Sequence, residues 1–200
     1  MFCLDGSYSM KGSNWSALLL AYQRLLQTRI DYQGMDDAVS VLVFDSDAHI
    51  QFQHQPIASA PRQVDRISWG TKFTPALQAA HGLLASSHAK GHTPVLIFMS
   101  DGCSSDNKDE QMAAMKQIVS SCGSQLRVYT VPFGKGADRD RLQLLATAGN
   151  GTMKPADDAA GMLQVFEDIA HGCSAINGMV GHFSQIITRM VTDKITVDHV

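Results

Sequence analysis

The sequence predicts an α/β domain with a mostly parallel central sheet and helices on both faces. Apolar runs of strand length alternate with segments of helical period along most of the chain, an order typical of parallel strands connected by helices. Ala38–Phe44 and Pro94–Met99 are almost continuously apolar, as expected of strands buried on both faces. The composition, 44% hydrophobic and 18% charged over 200 residues, is that of a folded domain rather than a disordered chain.

Short apolar or alternating runs predict the strands. They are Met1–Leu4, Ala38–Phe44, Ala48–Gln53, Pro94–Met99, Leu126–Phe133 and Thr152–Lys154. Ala48–Gln53 alternates apolar and polar residues after the turn Asp45-Ser46-Asp47, which predicts a hairpin at a sheet edge and gives these aspartates no metal role. Met1–Leu4 is shorter than a usual central strand, so we expect upstream residues, and any targeting signal with them, to be missing.

Apolar residues at three- and four-residue steps predict the helices. They are Trp15–Ile30, Pro61–Ile67, Pro75–Ala89, Asp109–Ser121, Asp140–Ala148 and Asp157–His171. Ser13 or Asn14 is the expected cap of the first helix. Asp106, Asp109 and Glu110 are interpreted as acidic residues that favour a helix N-terminus through its dipole.

The periodic pattern predicts one domain over residues 1–171, followed by a tail over residues 172–200. Within the tail, Met179–Thr192 has the period of one further amphipathic helix. The domain is long enough to bury a core without disulfides or metal.

Charge and cysteine usage narrow the class of protein. The net charge is −3 with a pI near 6.2, and no dense run of Lys or Arg predicts a nucleic-acid surface. No apolar stretch is long enough to cross a bilayer. The 4 cysteines form no CxxC pair, which favours reduced thiols and an intracellular location. An extracellular location stays open because upstream residues are expected to be missing.

Three polar loops follow or precede predicted elements at one edge of the predicted sheet. They are Asp5-Gly6-Ser7-Tyr8-Ser9, Gly70-Thr71 and Ser100-Asp101-Gly102. In open α/β sheets ligands bind beyond the carboxyl ends of the strands, where strand order reverses. All the side chains offered are oxygen donors, and the loops contain no imidazole. An oxygen-only site of low charge favours Mg²⁺ or Mn²⁺ over zinc.

Asp5-x-Ser7-x-Ser9, Thr71 ahead of Pro75 and Ser100-Asp101-Gly102 together resemble the metal-ion-dependent adhesion site (MIDAS) of von Willebrand factor type A domains. The resemblance covers roughly Met1–His171. It implies a doubly wound sheet of about six strands with the metal at its top. It also implies a non-enzymatic binding module, in which the cation bridges to an Asp or Glu carboxylate of a protein partner. The residues implied as the metal site are Asp5, Ser7, Ser9, Thr71 and Asp101.

Two residues depart from the family pattern. Tyr8 stands where the family usually has a small residue, and Trp69 precedes Gly70 where a second glycine is frequent. Neither position supplies a ligand, so the departures bear on partner choice rather than on metal binding.

Three other interpretations remain open from the sequence. Asp5, Ser7 and Ser9 are also ordinary turn and cap residues, although turn chemistry does not require the long-range pattern with Thr71 and Asp101. Aspartates at sheet ends also occur in Mg²⁺-dependent phosphohydrolases, but such a site needs more carboxylates and a placed base or nucleophile. A structural domain of a longer chain with an incidental metal is the third alternative. The sequence contains no Gly-x-Ser-x-Gly motif, the nucleophile elbow that would predict a hydrolase.

Overall fold

The computed structural model describes residues 1–32, 34–89 and 91–173. The strands are β1 (Phe2–Asp5), β2 (Ala38–Phe44), β3 (Ala48–Pro56), β4 (Val95–Ser100), β5 (Arg127–Pro132) and β6 (Thr152–Met153). The helices are α1 (Ser13–Asp31), α2 (Phe73–Ala89), α3 (Lys108–Cys122), α4 (Arg139–Ala148) and α5 (residues 159–173). Short 3₁₀ turns occur at Tyr8–Met10, Ile57–Ser59 and Gly123–Gln125.

The strands form one six-stranded sheet in the order β3-β2-β1-β4-β5-β6. All neighbouring pairs are parallel except β2 and β3, which form the antiparallel hairpin that was predicted at an edge. β2 lies on one side of β1. After the β2–β3 hairpin the chain passes through α2 to β4, which lies on the other side of β1. Strand order therefore reverses between β1 and β4, and the doubly wound, mostly parallel α/β fold is confirmed.

Two apolar layers cover the sheet. On one face α1 and α5 pack against Phe2, Leu4 and Val41. On the other face α2, α3 and α4 pack against Cys3, Phe44 and Phe98. Because successive strand residues point to opposite faces, the short strand β1 contributes to both layers. This two-sided burial explains why the parallel strands have near-continuous apolar sequences.

The helix predicted at Pro61–Ile67 is wrong, because this segment contains no helix. Side chains of α1 bind its carbonyl groups instead: Tyr22 Oη donates to Pro61 O at 2.8 Å, and Gln23 Nε2 donates to Arg62 O at 2.9 Å. The segment lies along the loop after β1, where its Ile67 backbone packs against Gly6. Contacts with other elements thus replace the internal hydrogen bonds of a helix.

The predicted cap of α1 is also wrong. The helix begins at Ser13 after Gly12, whose φ of 75° lies in the left-handed region that favours glycine. Asn14 donates its side-chain amide to Ser9 O at 3.1 Å and so connects α1 to the loop after β1.

Helix α5 covers residues 159–173, close to the predicted Asp157–His171. The predicted helix Met179–Thr192 lies outside the described residues. Among the helices of the described ranges, none combines the length and the hydrophobicity needed to span a lipid bilayer.

Candidate metal site

The loop after β1 is anchored by a buried carboxylate at the switch point of the sheet. Asp5 is fully buried, and both of its oxygens accept hydrogen bonds. Ser7 N donates to Oδ1 at 2.9 Å, and Ser100 Oγ, at the end of β4, donates to Oδ2 at 2.5 Å. Because β1 and β4 are adjacent and parallel, their carboxyl ends place Asp5 and Ser100 side by side. The loops after these two strands are therefore joined through Asp5.

A chain of hydroxyl and carboxylate groups continues from this anchor toward solvent. Ser7 Oγ lies 3.1 Å from Ser9 Oγ, and Ser9 Oγ donates to Asp101 Oδ1 at 2.7 Å. Ser7 is buried, Asp101 is half-buried and Ser9 is exposed. The cluster is thus supported from beneath and open at its outer side.

Thr71 reaches the same cluster from the loop ahead of α2. A Cβ placed on Gly102 would lie 3.8 Å from Ser9 Oγ and 3.8 Å from Thr71 Oγ1, so both hydroxyls approach Gly102. Ser105 supports the Thr71 backbone, with its N and Oγ donating to Thr71 O at 2.9 and 3.0 Å. The structure therefore brings together Asp5, Ser7, Ser9, Thr71 and Asp101, which the sequence predicted as one site.

Burial disfavours negative charge within the cluster. It raises the pKa of Asp5 to about 6, although hydrogen bonds from Ser100 and Ser7 act in the opposite direction. Burial also raises the pKa of Asp101, while hydrogen bonds from Ser9 and Asn14 lower it. The charge of Asp101 further raises the pKa of Asp5, which shows that the carboxylates interact. A cation between them would relieve both effects.

Three supporting residues were not predicted as part of the site. Ser100 donates its hydroxyl to Asp5, and Asn14 donates its side-chain amide to Ser9 O. Arg66 Nη1 donates to Gly6 O at 3.1 Å and to Ser7 O at 3.0 Å. Ser100 was visible in the Ser-Asp-Gly triplet, but nothing in the sequence pairs Arg66 with a loop about 60 residues earlier, because this contact depends on the irregular path between Pro61 and Thr71.

Asp106 interacts with two helices. Asn107 is the cap of α3, and Gln111 of that helix donates its Nε2 to Asp106 Oδ1 at 2.7 Å. At the start of α2, Asp106 Oδ1 accepts from Phe73 N at 3.1 Å and Oδ2 accepts from Thr74 N at 2.6 Å. Asp106 therefore caps α2, the helix that begins just after Thr71.

Asp45 is more than an exposed hairpin residue. Its side chain is buried at the end of β2, with Oδ1 accepting from Asp47 N at 2.9 Å and lying 3.5 Å from His49 Nε2. Within the part of the chain that the structure describes, its Oδ2 is buried without a hydrogen-bond partner. Its backbone carbonyl accepts from Lys72 N at 2.7 Å, which ties the hairpin to the loop that carries Thr71.

The donor set of the cluster fits a hard cation. Three hydroxyls and two carboxylates converge, and these oxygen ligands suit Mg²⁺ or Mn²⁺. The described part of the chain contains no group of three or more His, Cys, Asp or Glu residues placed to hold a metal. The candidate site is instead rich in hydroxyls. With only two carboxylates close to it, a bound divalent cation would still attract an external anion.

The fold and the cluster define this chain as a doubly wound α/β domain with oxygen donors at the switch point of its sheet. A model of the von Willebrand factor type A domain matches residues 1–168, so the chain belongs to this family. Domains of the family are generally adhesion and interaction modules. A comparison with curated protein sequences gives no match.

Solved structures share the fold at low sequence identity. A von Willebrand factor type A protein from Catenulispora acidiphila matches with a TM-score of 0.69 and 16% identity, over 84% of this chain and 41% of that one. The SpRpn10 VWA domain matches with a TM-score of 0.64 and 11% identity, over 82% of this chain and 90% of that one.

Proximal thread matrix protein 1 from the mussel byssus, in a structure with a zinc-occupied MIDAS motif, has a TM-score of 0.65 and 12% identity, over 84% of this chain and 46% of that one. This chain thus spans less than half the length of the Catenulispora and mussel proteins.

Proposed function

We propose that this chain is a metal-dependent protein-interaction module. In this proposal Mg²⁺ or Mn²⁺ is held by Asp5, Ser7, Ser9, Thr71 and Asp101 and binds a carboxylate from an Asp or Glu of a protein partner. The observation that carries the proposal is the convergence of these five side chains, from three separate loops, on the switch point between β1 and β4.

The five residues of the cluster would contribute to cation binding in different ways. Asp5 is fixed from beneath by Ser7 N and Ser100 Oγ, and it contributes negative charge to the site. Ser7, Ser9 and Thr71 supply neutral oxygens, and Asp101 holds Ser9 in place. A bound cation would supply the positive centre that attracts a partner carboxylate. The open outer side of the cluster gives that carboxylate a path to the site.

The contacts of Asp5 argue against the phosphohydrolase alternative. Both carboxylate oxygens are bonded within the fold, and the side chain has no exposed surface. A nucleophile or general base must instead reach the reacting atoms. In the described cluster Asp101 is then the one carboxylate left that is not fully buried, and a phosphohydrolase site needs more carboxylates and a placed base or nucleophile. The same arrangement suits a site that binds without reacting.

Thermal unfolding with and without cations tests the proposal. A ligand that binds only the folded state at about 100 times Kd adds roughly 2.7 kcal/mol to the free energy of unfolding. For a domain of this size that corresponds to roughly 5–10 °C in Tm. We expect this shift with Mg²⁺ or Mn²⁺ relative to EDTA, and we expect Asp101→Ala to abolish it while the variant stays folded.

The matched control is Asp140→Ala, which removes an exposed carboxylate in the first turn of α4 and should keep the full shift. Equal melting in EDTA, Mg²⁺ and Mn²⁺ for the wild type would contradict the metal site and favour a structural role. A shift that persists in Asp101→Ala would place the cation elsewhere.

A further inference from the structure

Two exposed aromatic side chains stand beside the candidate metal site. Trp69 is 77% exposed and Tyr8 is 70% exposed, the highest values among the large apolar side chains of the described ranges. Tyr8 lies between Ser7 and Ser9, and Trp69 lies two residues before Thr71. Together we call Tyr8 and Trp69 the aromatic rim. Tyr and Trp are enriched at protein interfaces because each combines a large apolar ring with a polar group.

The backbone fixes the aromatic rim on two separate loops of the cluster. Tyr8 lies in the 3₁₀ turn Tyr8–Met10. Within the turn Ser9 O accepts from Asn14, and just before it Ser7 O accepts from Arg66. The loop of Trp69 is held at both ends: Ile67 packs against Gly6, and Gly70 lies beside Ser46. Tyr8 and Trp69 are therefore carried by two anchored loops of the candidate site.

Positive side chains accompany the aromatic rim. Lys11 Nζ lies 5.9 Å from the centre of the Tyr8 ring. Lys72, next to Thr71, is exposed. Lys135 is exposed in the loop of Gly136, which approaches Asp101 O. Long-range attraction from such lysines favours acidic partners and raises their association rate.

We propose that the aromatic rim selects an extended acidic segment of a protein partner, in which the anchoring Asp or Glu has apolar residues on both sides and further acidic residues nearby. This inference rests on the proposed function and adds the residues that decide partner choice. An extended segment advances about 3.3 Å per residue, so residues close to the anchor in sequence are the ones that stay near the loops of Tyr8 and Trp69. Buried Tyr and Trp side chains are frequent energetic centres of interfaces.

A peptide selection tests the inference without a known partner. The probe is a displayed library of 13-residue peptides with a fixed central Asp and random flanks, captured in Mg²⁺ and eluted with EDTA. We compare the wild type with the double variant Y8S/W69S. On the wild type we expect enrichment of apolar residues within three positions of the Asp, on both sides, and of extra Asp or Glu. On Y8S/W69S we expect the apolar enrichment to disappear.

Two controls separate this inference from the proposed function. The Mg²⁺-dependent shift in Tm should be unchanged in Y8S/W69S, because neither side chain is a candidate ligand. Tyr32→Ser removes an aromatic side chain that is 55% exposed. Tyr32 follows the C-terminus of α1, a 19-residue helix about 28 Å long whose N-terminus lies at the loop of Tyr8. This variant should keep the wild-type selection.

Synthetic versions of the enriched peptides should bind Y8S/W69S at least tenfold more weakly than the wild type. Mg²⁺-dependent capture without apolar enrichment, or with the same flanks on both proteins, overturns the role of the aromatic rim and leaves the proposed function standing. A wild type that captures no peptide in an EDTA-sensitive way overturns both.

Discussion

At the scale of single residues, Asp5 is the group that joins the parts of the candidate site. It is a buried carboxylate whose stability in the fold depends on the two donors that satisfy its oxygens. Burial raises the pKa of Asp5 to about 6, and the hydrogen bonds from Ser100 and Ser7 oppose that shift.

Ser100→Ala should therefore destabilise the domain even without metal. The change removes the donor to Asp5 Oδ2 and leaves a buried carboxylate oxygen unsatisfied, which costs about 1–3 kcal/mol of the free energy of unfolding. Urea denaturation in EDTA measures the loss. Ser105→Ala is the control in the same loop, since Thr71 O keeps its bond from Ser105 N. An equal effect of both substitutions would show that the Asp5 bond is not specially important.

At the scale of elements, loops of the site are stabilised by helices and strands distant in sequence. The start of α2, next to Thr71, is capped by Asp106 from the loop after β4. Burial alone would raise the pKa of Asp106, but hydrogen bonds from Ser104, Thr74 and Phe73 lower it to about 2. The ionised carboxylate is thus the form that the fold stabilises.

Asp106→Ala should lower the free energy of unfolding by about 1–2 kcal/mol at pH 7, the usual cost of losing an N-cap. The pKa lies below the ordinary 3.8, so this stabilisation is fully present above about pH 4 and is lost as the pH falls through about 2. Denaturation curves from pH 7 to pH 2 should converge for the wild type and Asp106→Ala. Asp109→Ala, an exposed acid in α3, should cost only tenths of a kcal/mol at pH 7. A difference that grows on acidification would contradict this account.

At the scale of the whole molecule, an aromatic cluster beneath the site joins three of its elements. Phe98 of β4 lies 5.0 Å, between ring centres, from both Phe44 of β2 and Phe73 of α2. All three rings are fully buried. The loops that carry Asp45, Thr71 and Asp101 adjoin these elements, so the cluster packs the three elements together beneath the loops.

Phe98→Ala should lower the free energy of unfolding by about 3–5 kcal/mol, because it opens a cavity where three elements meet. Ile50→Ala, at a half-exposed position of the edge strand β3, should cost less than about 1 kcal/mol. Chemical denaturation of both variants in EDTA measures the contrast. Similar losses would mean that the aromatic cluster contributes no more to the fold than the sheet edge does.

The sequence by itself determined the layers of this protein and predicted which residues form its candidate site. Alternating apolar runs depend on local spacing and burial, so the strands, α1 to α5 and the edge hairpin were predictable. Asp5, Ser7, Ser9, Thr71 and Asp101 stay a prediction that rests on the resemblance to the family motif; that the loops after β1 and β4 lie side by side follows from parallel strands ending at one edge of the sheet.

Only the tertiary structure decided how those residues are held. Arg66 reaches the loop after β1, Asp106 caps α2 and Ser100 satisfies Asp5 through contacts between residues 32 to 95 positions apart. The segment Pro61–Ile67 is irregular for the same reason, since donors from α1 bind its carbonyl groups. Local periodicity carries no information about such partners. They are set by the packing of the sheet and helices, which brings distant donors and acceptors within hydrogen-bonding distance.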